Sequence, residues 1–172
     1  NDGVRLAVGI ATPTSQALVN ALDEIPVIYS AVTDPVAAGL VDSFDQGGAN
    51  VTGVSDMTPV EAQFDLIEAM IDVDALGHVY TSGETNAVTL AEMARSSAEE
   101  RGIEFITSTV TNSSEVRQAT QSLVDRVDVI YVSTDNTVVS ALPSLLEVAT
   151  NAGVPVITAD PSSAEELGVL AA

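Results

Sequence analysis

Short runs of aliphatic and β-branched residues alternate along this chain with longer stretches whose apolar residues recur every three or four positions. The runs are Leu6–Ile10, Pro26–Val32, Val51–Val54, Gly77–Tyr80, Ile103–Val110, Val127–Ser133 and Val154–Ala159. They are nearly continuous in apolar side chains, which predicts parallel strands buried on both faces. Helices are predicted between them. Thr12–Leu22 opens Thr-Pro, read as an N-cap followed by proline at the first helical position. Pro59–Ile71 aligns Val60, Phe64, Ile67 and Ile71 in one stripe. Thr85–Arg101 stops at Gly102 and Asn136–Ala152 at Gly153, both natural C-terminal glycines. Ser113–Arg126 takes Ser113 or Ser114 as its N-cap, and a short Ser162–Leu167 closes at Gly168.

The βαβα alternation predicts an α/β protein with doubly wound parallel sheet and right-handed crossovers. From Gly77 onward the units are regular, enough for a nearly complete flavodoxin-like domain. Residues 1–56 hold one clear helix and the Gly47-Gly48 turn, too little for a layer of their own. Two organisations are open: one sheet of all the strands, or a second lobe of which residues 1–56 form part. An internal echo bears on the choice. Three strand-like runs each end in an aspartate before a turn or helix start, at Asp34, Asp135 and Asp160. Aspartate is a common cap there, and two pseudo-symmetric lobes would repeat it as well.

Charge narrows the chemistry. The 172 residues carry 25 Asp and Glu against 5 basic residues, a formal charge of -20. All the basic residues are arginines; lysine and cysteine are absent, and His78 is the single histidine. A P-loop or Schiff-base lysine, thiol catalysis, disulfides and cysteine metal sites are therefore excluded. No G-x-S-x-G or G-x-G-x-x-G occurs, and so acidic a chain repels nucleic acid. The absence of lysine beside many carboxylates points to salt adaptation, because unbalanced charge destabilises a compact state and salt screens it. With 46% hydrophobic residues the chain folds, but no apolar run is long enough to span a bilayer. It begins Asn1-Asp2-Gly3 without methionine, consistent with removal of a leader.

Ligands of open α/β sheets bind outside the carboxyl ends of the strands. The candidates there are Thr12, Ser15, Thr33, Asp34, Ser55 and Asp56 in the first part, and Tyr80, Glu84, Asn86, Thr134, Asp135, Asn136 and Asp160 in the second. Hydroxyls, amides and carboxylates without a cation, a metal cluster or an activated nucleophile suit a zwitterion or polyol. No catalytic residue, metal ligand or cofactor is expected. Tyr29, Tyr80 and Tyr131 lie near strand ends, either as core residues or as a wall for an apolar or aromatic ligand. His78 reads as a packed residue. Asn50-Val51-Thr52 and Asn112-Ser113-Ser114 fit the glycosylation pattern, which is frequent by chance.

Several longer blocks resemble one family: IPVIYSAVTDPVAAGLV at 25–41, NVTGVSDMTPVEAQFDL at 50–66, SGETNAVTLAEM at 82–93 and VDVIYVSTDNTVVSAL at 127–142. It is the family of ABC-transporter substrate-binding proteins that includes tryptophan, tyrosine and phenylalanine binders. The resemblance implies a type 1 periplasmic-binding fold with two lobes and a ligand cleft between them. It implies an incomplete N-terminal lobe at 1–56, a C-terminal lobe at 57–168 and the start of a return crossover at 169–172. Of the candidates, Thr12, Ser15, Thr33, Asp34, Ser55 and Asp56 match the family's N-lobe cleft segments, and Glu84, Asn86, Asp135, Asn136 and Asp160 its C-lobe cleft edges, although Tyr80-Thr81-Ser82-Gly83-Glu84 departs from its usual Asn-Pro before Gly-Glu. The implied function is a solute receptor for an amino acid, aromatic ones included. Its partner would be an ABC permease, and it would be exported to the periplasm or the outer face of the cytoplasmic membrane, a lipid anchor being one option. The competing expectation is a single α/β signalling or enzymatic domain.

Overall fold

The computed structural model describes residues 3–166 and 168–172; Leu167, the end of the last expected helix, lies outside the described residues, as do Asn1 and Asp2. Two separate parallel sheets form. The first has the order β1 (Ala7–Ile10), β2 (Val27–Val32), β3 (Val51–Ser55). The second contains β4 (Ala75–Thr81), β5 (Glu104–Val110), β6 (Val129–Val132), β7 (Val156–Thr158) and β8 (Val169–Ala171), in the order β5-β4-β6-β7-β8. One continuous sheet is thus ruled out. The chain divides into two compact units, one of Asn1–Met57 with Glu84–Thr89, the other of Thr58–Gly83 with Leu90–Ala172.

In the first unit, one sheet face packs Val27, Tyr29, Val32 and Val51 against Ala38, Leu40 and Val41 of the following loop and Leu18 of α1 (Thr12–Ala21). Within the sheet, Gly53 of β3 pairs with Tyr29 of β2, and a Cβ on Gly53 would lie 2.1 Å from the Tyr29 carbonyl oxygen, so no larger residue fits. The opposite face is bare. Val8 pairs in register with Ile28, and Val8, Ile10, Ile28 and Val54 are 55%, 65%, 38% and 69% exposed. That departs from the expectation of strands buried on both faces.

The second unit is covered on both sides. One side of its sheet packs Val79, Val110, Val132 and Val156 against α4 (Val116–Gln121) and α6 (Leu142–Ala152) through Val116, Leu145 and Ala149, with Leu123 of the turn after α4 in the same cluster. The other side meets α2 (Val60–Met70), where the buried Phe64 sets its ring edge-on to Tyr131 at 5.8 Å. Asp128 pins the start of β6, its Oδ2 accepting the Asp74 and Ala75 backbone N–H groups at 2.9 Å each. Those bonds hold its carboxyl below the ordinary range.

Helix ends differ from the pattern in physically clear ways. The helix expected over Asn136–Ala152 is two, α5 (Asn136–Ser140) and α6, joined at Ala141. Pro143 explains the break, since proline lacks an N–H and its ring excludes the carbonyl of the preceding turn; it sits instead in the first turn of α6. Asn112, not Ser113 or Ser114, caps the segment after β5, its side chain accepting the Ser114 N–H at 3.1 Å. The segment opens as a 3-10 turn, Ser113–Glu115, before α4. Gly102 and Gly153 do take the left-handed conformation, at φ 73° and 74°.

Arg101, at the end of α3 (Thr85–Arg101), pairs with Glu61, Asp65 and Glu68 of α2 at 2.7, 2.8 and 3.1 Å and lies over the Phe64 ring. The carboxylates are 64%, 73% and 44% exposed, so solvent screens much of the attraction. Removing the arginine also leaves three carboxylates one helical turn apart to repel one another. Arg101→Met is expected to lose about 1–2 kcal/mol in low-salt urea titrations and clearly less in 1 M KCl. An equal loss at both salt levels would assign the effect to packing on Phe64.

Candidate binding edges at the carboxyl ends of the strands

In the first unit, β1 passes directly into α1. Thr12 is the first helical residue rather than the cap; Ala11 holds the cap position at φ 70°, ψ 158°, without a side-chain bond. Thr12 is 2% exposed and Ser15 fully buried. Ser15 turns back on the strand end, its N–H and Oγ both donating to the Ala11 carbonyl at 3.1 and 2.9 Å. At the end of β2, Thr33 is buried and Asp34 closes a turn, its Oδ1 accepting the Val36 and Ala37 N–H groups at 3.0 and 2.9 Å. Ser55 Oγ donates to the Thr33 carbonyl at 2.7 Å and accepts the Met57 N–H at 3.1 Å. Asp56 follows on the exposed side, yet neighbouring atoms strip enough water to push its carboxyl upward, against hydrogen bonds from its own N–H and from Thr33. Asn86 is buried in the first turn of α3, with its Nδ2 3.5 Å from Glu84 Oε2.

In the second unit, the ends of β6 and β7 and the start of α5 surround a pocket of about 310 Å³. Thr134, Asp135, Asn136 and Asp160 line it, so the structure gathers these predicted residues at one place. Val139 and Ser140 complete the wall. They were missed, although they stand one helical turn beyond Asp135 and Asn136 and so share their side of α5. Thr134 Oγ1 shares a 3.1 Å hydrogen bond with Thr58, a third residue the spacing did not reveal. Asn136 is exposed at the mouth. Asp160 receives the Ser162 N–H at 3.0 Å and its hydroxyl at 2.6 Å. Asp135 is fully buried. Its Oδ1 accepts from Val138 N–H and Thr81 Oγ1, both at 2.9 Å, and its Oδ2 accepts the Thr81 N–H at 2.6 Å. The repeated aspartates thus share one role in the structure: Asp34, Asp135 and Asp160 each cap the turn that follows their strand.

The aromatic residues divide. Tyr29 and Tyr131 are core residues at 6% and 0% exposure, while Tyr80 is half-buried. His78 lies fully buried among the rings of Tyr80, Phe105 and Tyr131, at 5.5–5.7 Å. Its Nδ1 meets the Tyr131 carbonyl at 2.9 Å, and its Nε2 has no partner. Asn50 uses its Nδ2 on the Leu22 and Ile25 carbonyls, a structural reason for that asparagine independent of glycosylation. A depression of about 580 Å³ lies between α6 and the turn Pro161–Glu165 and contains none of the predicted residues.

The edge chemistry is hydroxyl, amide and carboxylate on a parallel-sheet scaffold, suited to holding a small polar molecule. Over residues 1–172 the sequence matches the family model described as ABC transporter substrate binding protein. The chain belongs to that family. A "Tyrosine-binding protein" of Clostridioides difficile (strain R20291) is 37% identical over 164 residues, 95% of this chain and 48% of that protein. Among solved structures, a "conserved domain protein" of Vibrio cholerae O1 biovar eltor str. N16961 superposes with a TM-score of 0.92. It is 46% identical and the match covers 94% of this chain and 55% of that one. An "ABC domain in complex with L-Trp" from Streptococcus pneumonia superposes with a TM-score of 0.88 at 37% identity, covering 91% and 54%. This member of the substrate-binding family therefore spans about half the length of the relatives it matches. The two separate sheets, in two compact units, displace the expectation of a single α/β domain.

Proposed function

We propose that this protein is the solute-binding receptor of an ABC importer and that its ligand is an amino acid with an aromatic side chain. The observation that carries the reading is the 37% identity, over nearly the whole chain, to a structure in complex with L-Trp and to a tyrosine-binding protein. The residue chemistry supports it. Thr12, Thr33, Thr134 and Asn136 offer hydroxyl and amide groups, and Glu84, Asp56 and Asp160 are carboxylates able to face an ammonium group. The half-buried ring of Tyr80 offers a surface for an aromatic side chain. Binding occurs without covalent chemistry, and the loaded receptor delivers its ligand to a membrane permease. Its place is outside the cytoplasmic membrane, free in the periplasm or anchored at the outer face. Among the described residues no helix is long and apolar enough to cross a bilayer.

Isothermal titration of the intact receptor with each of the twenty amino acids tests this reading. Saturable one-to-one binding of tyrosine, tryptophan or phenylalanine without turnover is expected. Binding of small aliphatic amino acids alone would remove the aromatic assignment, and no binding of any amino acid would remove the receptor assignment.

The charge supports a source rich in salt. With a net charge of -20, self-repulsion opposes the compact state and is screened within roughly 3 Å at 1 M salt. The melting temperature is expected to rise between 0.1 M and 2 M KCl. Chloride is the right anion, because sulfate strengthens burial in any protein. An unchanged or lower melting temperature at 2 M would argue against salt adaptation.

A further inference from the structure

Two alanines carry positive φ angles, Ala11 at 70° and Ala31 at 52°, and they are the only non-glycine residues to do so among those described. A methyl group makes this region costly, and the φ 70°, ψ 158° of Ala11 falls where essentially only glycine is at ease. The alanines are neighbours in space: the Ala11 N–H donates to the carbonyl of Ser30, the residue before Ala31, at 3.0 Å. Each stands at the carboxyl end of its strand, and each is followed within two residues by a buried threonine, Thr12 or Thr33. At Ala31 the register between β2 and β3 also shifts, between Tyr29 and Val32.

The surroundings hold both conformations in place. Ser15 bonds the Ala11 carbonyl twice. It reaches that position because Gly9 has no side chain; a Cβ there would lie 2.6 Å from Ser15 Oγ. Beyond Ala31, the Ser55 hydroxyl holds the Thr33 carbonyl, and the Asp56 N–H donates to the Val32 carbonyl at 3.2 Å. Glycine would adopt either geometry freely, but it would adopt many others too. Alanine in a clamped, unfavourable geometry leaves the strand end one arrangement.

We infer that Ala11 and Ala31 are positioning residues of the first unit's binding edge, keeping the Thr12 and Thr33 segments in a single ligand-ready arrangement at the expense of backbone strain. The inference rests on the receptor reading above. A purely structural role predicts that relieving the strain only stabilises the protein. A positioning role predicts that stability and affinity move in opposite directions.

The test compares Ala11→Gly, Ala31→Gly and the control Ala17→Gly in the intact receptor. Ala17 is an exposed residue within α1, where glycine lowers helix stability without touching the strand ends. Melting curves and titrations with L-tyrosine and L-tryptophan are measured on each. Ala11→Gly and Ala31→Gly are expected to melt at or above the wild-type temperature and to bind tenfold or more weakly. Ala17→Gly is expected to melt lower with unchanged affinity. Wild-type affinity in both strained-site variants would overturn the inference, as would a loss no greater than that of the control. If wild-type protein binds no amino acid, the receptor reading itself fails and the inference falls with it.

Discussion

Asp135→Ala is expected to cost about 3–5 kcal/mol of folding stability, the largest effect of any single substitution at the candidate edges. The carboxylate is fully buried and takes hydrogen bonds from Thr81 N–H, Thr81 Oγ1 and Val138 N–H. Truncation removes the cap of α5, worth about 0.5–2 kcal/mol. It also strands the Thr81 and Val138 donors, at about 1–3 kcal/mol for each buried group left unsatisfied. Asp135→Asn should lie between, since an amide presents a donor where one of these donors needs an acceptor. Urea unfolding gives the stability, and titration with L-tryptophan below the melting range gives the affinity. A stability loss under about 1 kcal/mol together with affinity weakened more than tenfold would reverse the assignment, making Asp135 the partner of the ligand's ammonium group.

A second large effect is expected on acidification, through His78. Burial is the main reason its pKa falls from 6.5 to about 4; the Tyr131 carbonyl opposes the shift and the positive charge of Arg95 adds to it. The rings of Tyr80, Phe105 and Tyr131 around it offer no counter-charge. The unfolded chain takes up the proton first, so the stability present above pH 6.5 is lost as pH falls towards 4. A shift of this size corresponds to about 3 kcal/mol once both states are protonated. His78→Gln removes the titration, so the gap between the two pH profiles isolates it. Asp128 and Glu115, lowered by hydrogen bonds, and Asp56, raised by desolvation, titrate alike in both proteins and cancel in the comparison. Parallel profiles between pH 7 and pH 4 would show that His78 is not the acid-labile group.

Local pattern made most elements legible. Continuous apolar runs located β1 to β7 to within about two residues; in β4 to β7 burial on both sides leaves that plain mark in sequence, whereas β1 to β3 carry the same apolar run although one of their faces is exposed. It did not locate β8, where Val169, Leu170 and Ala171 are too few to stand out from a loop. Nor did it divide Asn136–Ala152, because apolar spacing continues smoothly across Ala141 while the break comes from Pro143. Thr12 looked like a cap since Thr-Pro favours one, but Ala11 takes that position in a conformation that no residue type announces. At the edges, strand direction was enough to bring Thr134, Asp135, Asn136 and Asp160 to one pocket. What each does there was not legible. Whether an aspartate caps a turn or faces a ligand depends on where its oxygens point, and side-chain identity alone does not encode that.

The bare face of the first sheet gives salt two opposed effects. Val8, Ile10, Ile28 and Val54 present a water-exposed apolar surface on a strongly anionic polypeptide. In dilute buffer, mutual repulsion keeps such molecules apart and acts as a colloidal shield over that surface. Added salt thins the shield at the same concentrations at which it relieves repulsion within each molecule. Folding and dispersal therefore part company: the ionic strength that best preserves the native state also brings these molecules closest to clumping. Solubility, rather than unfolding, then sets the upper limit of salt at which the polypeptide can be handled.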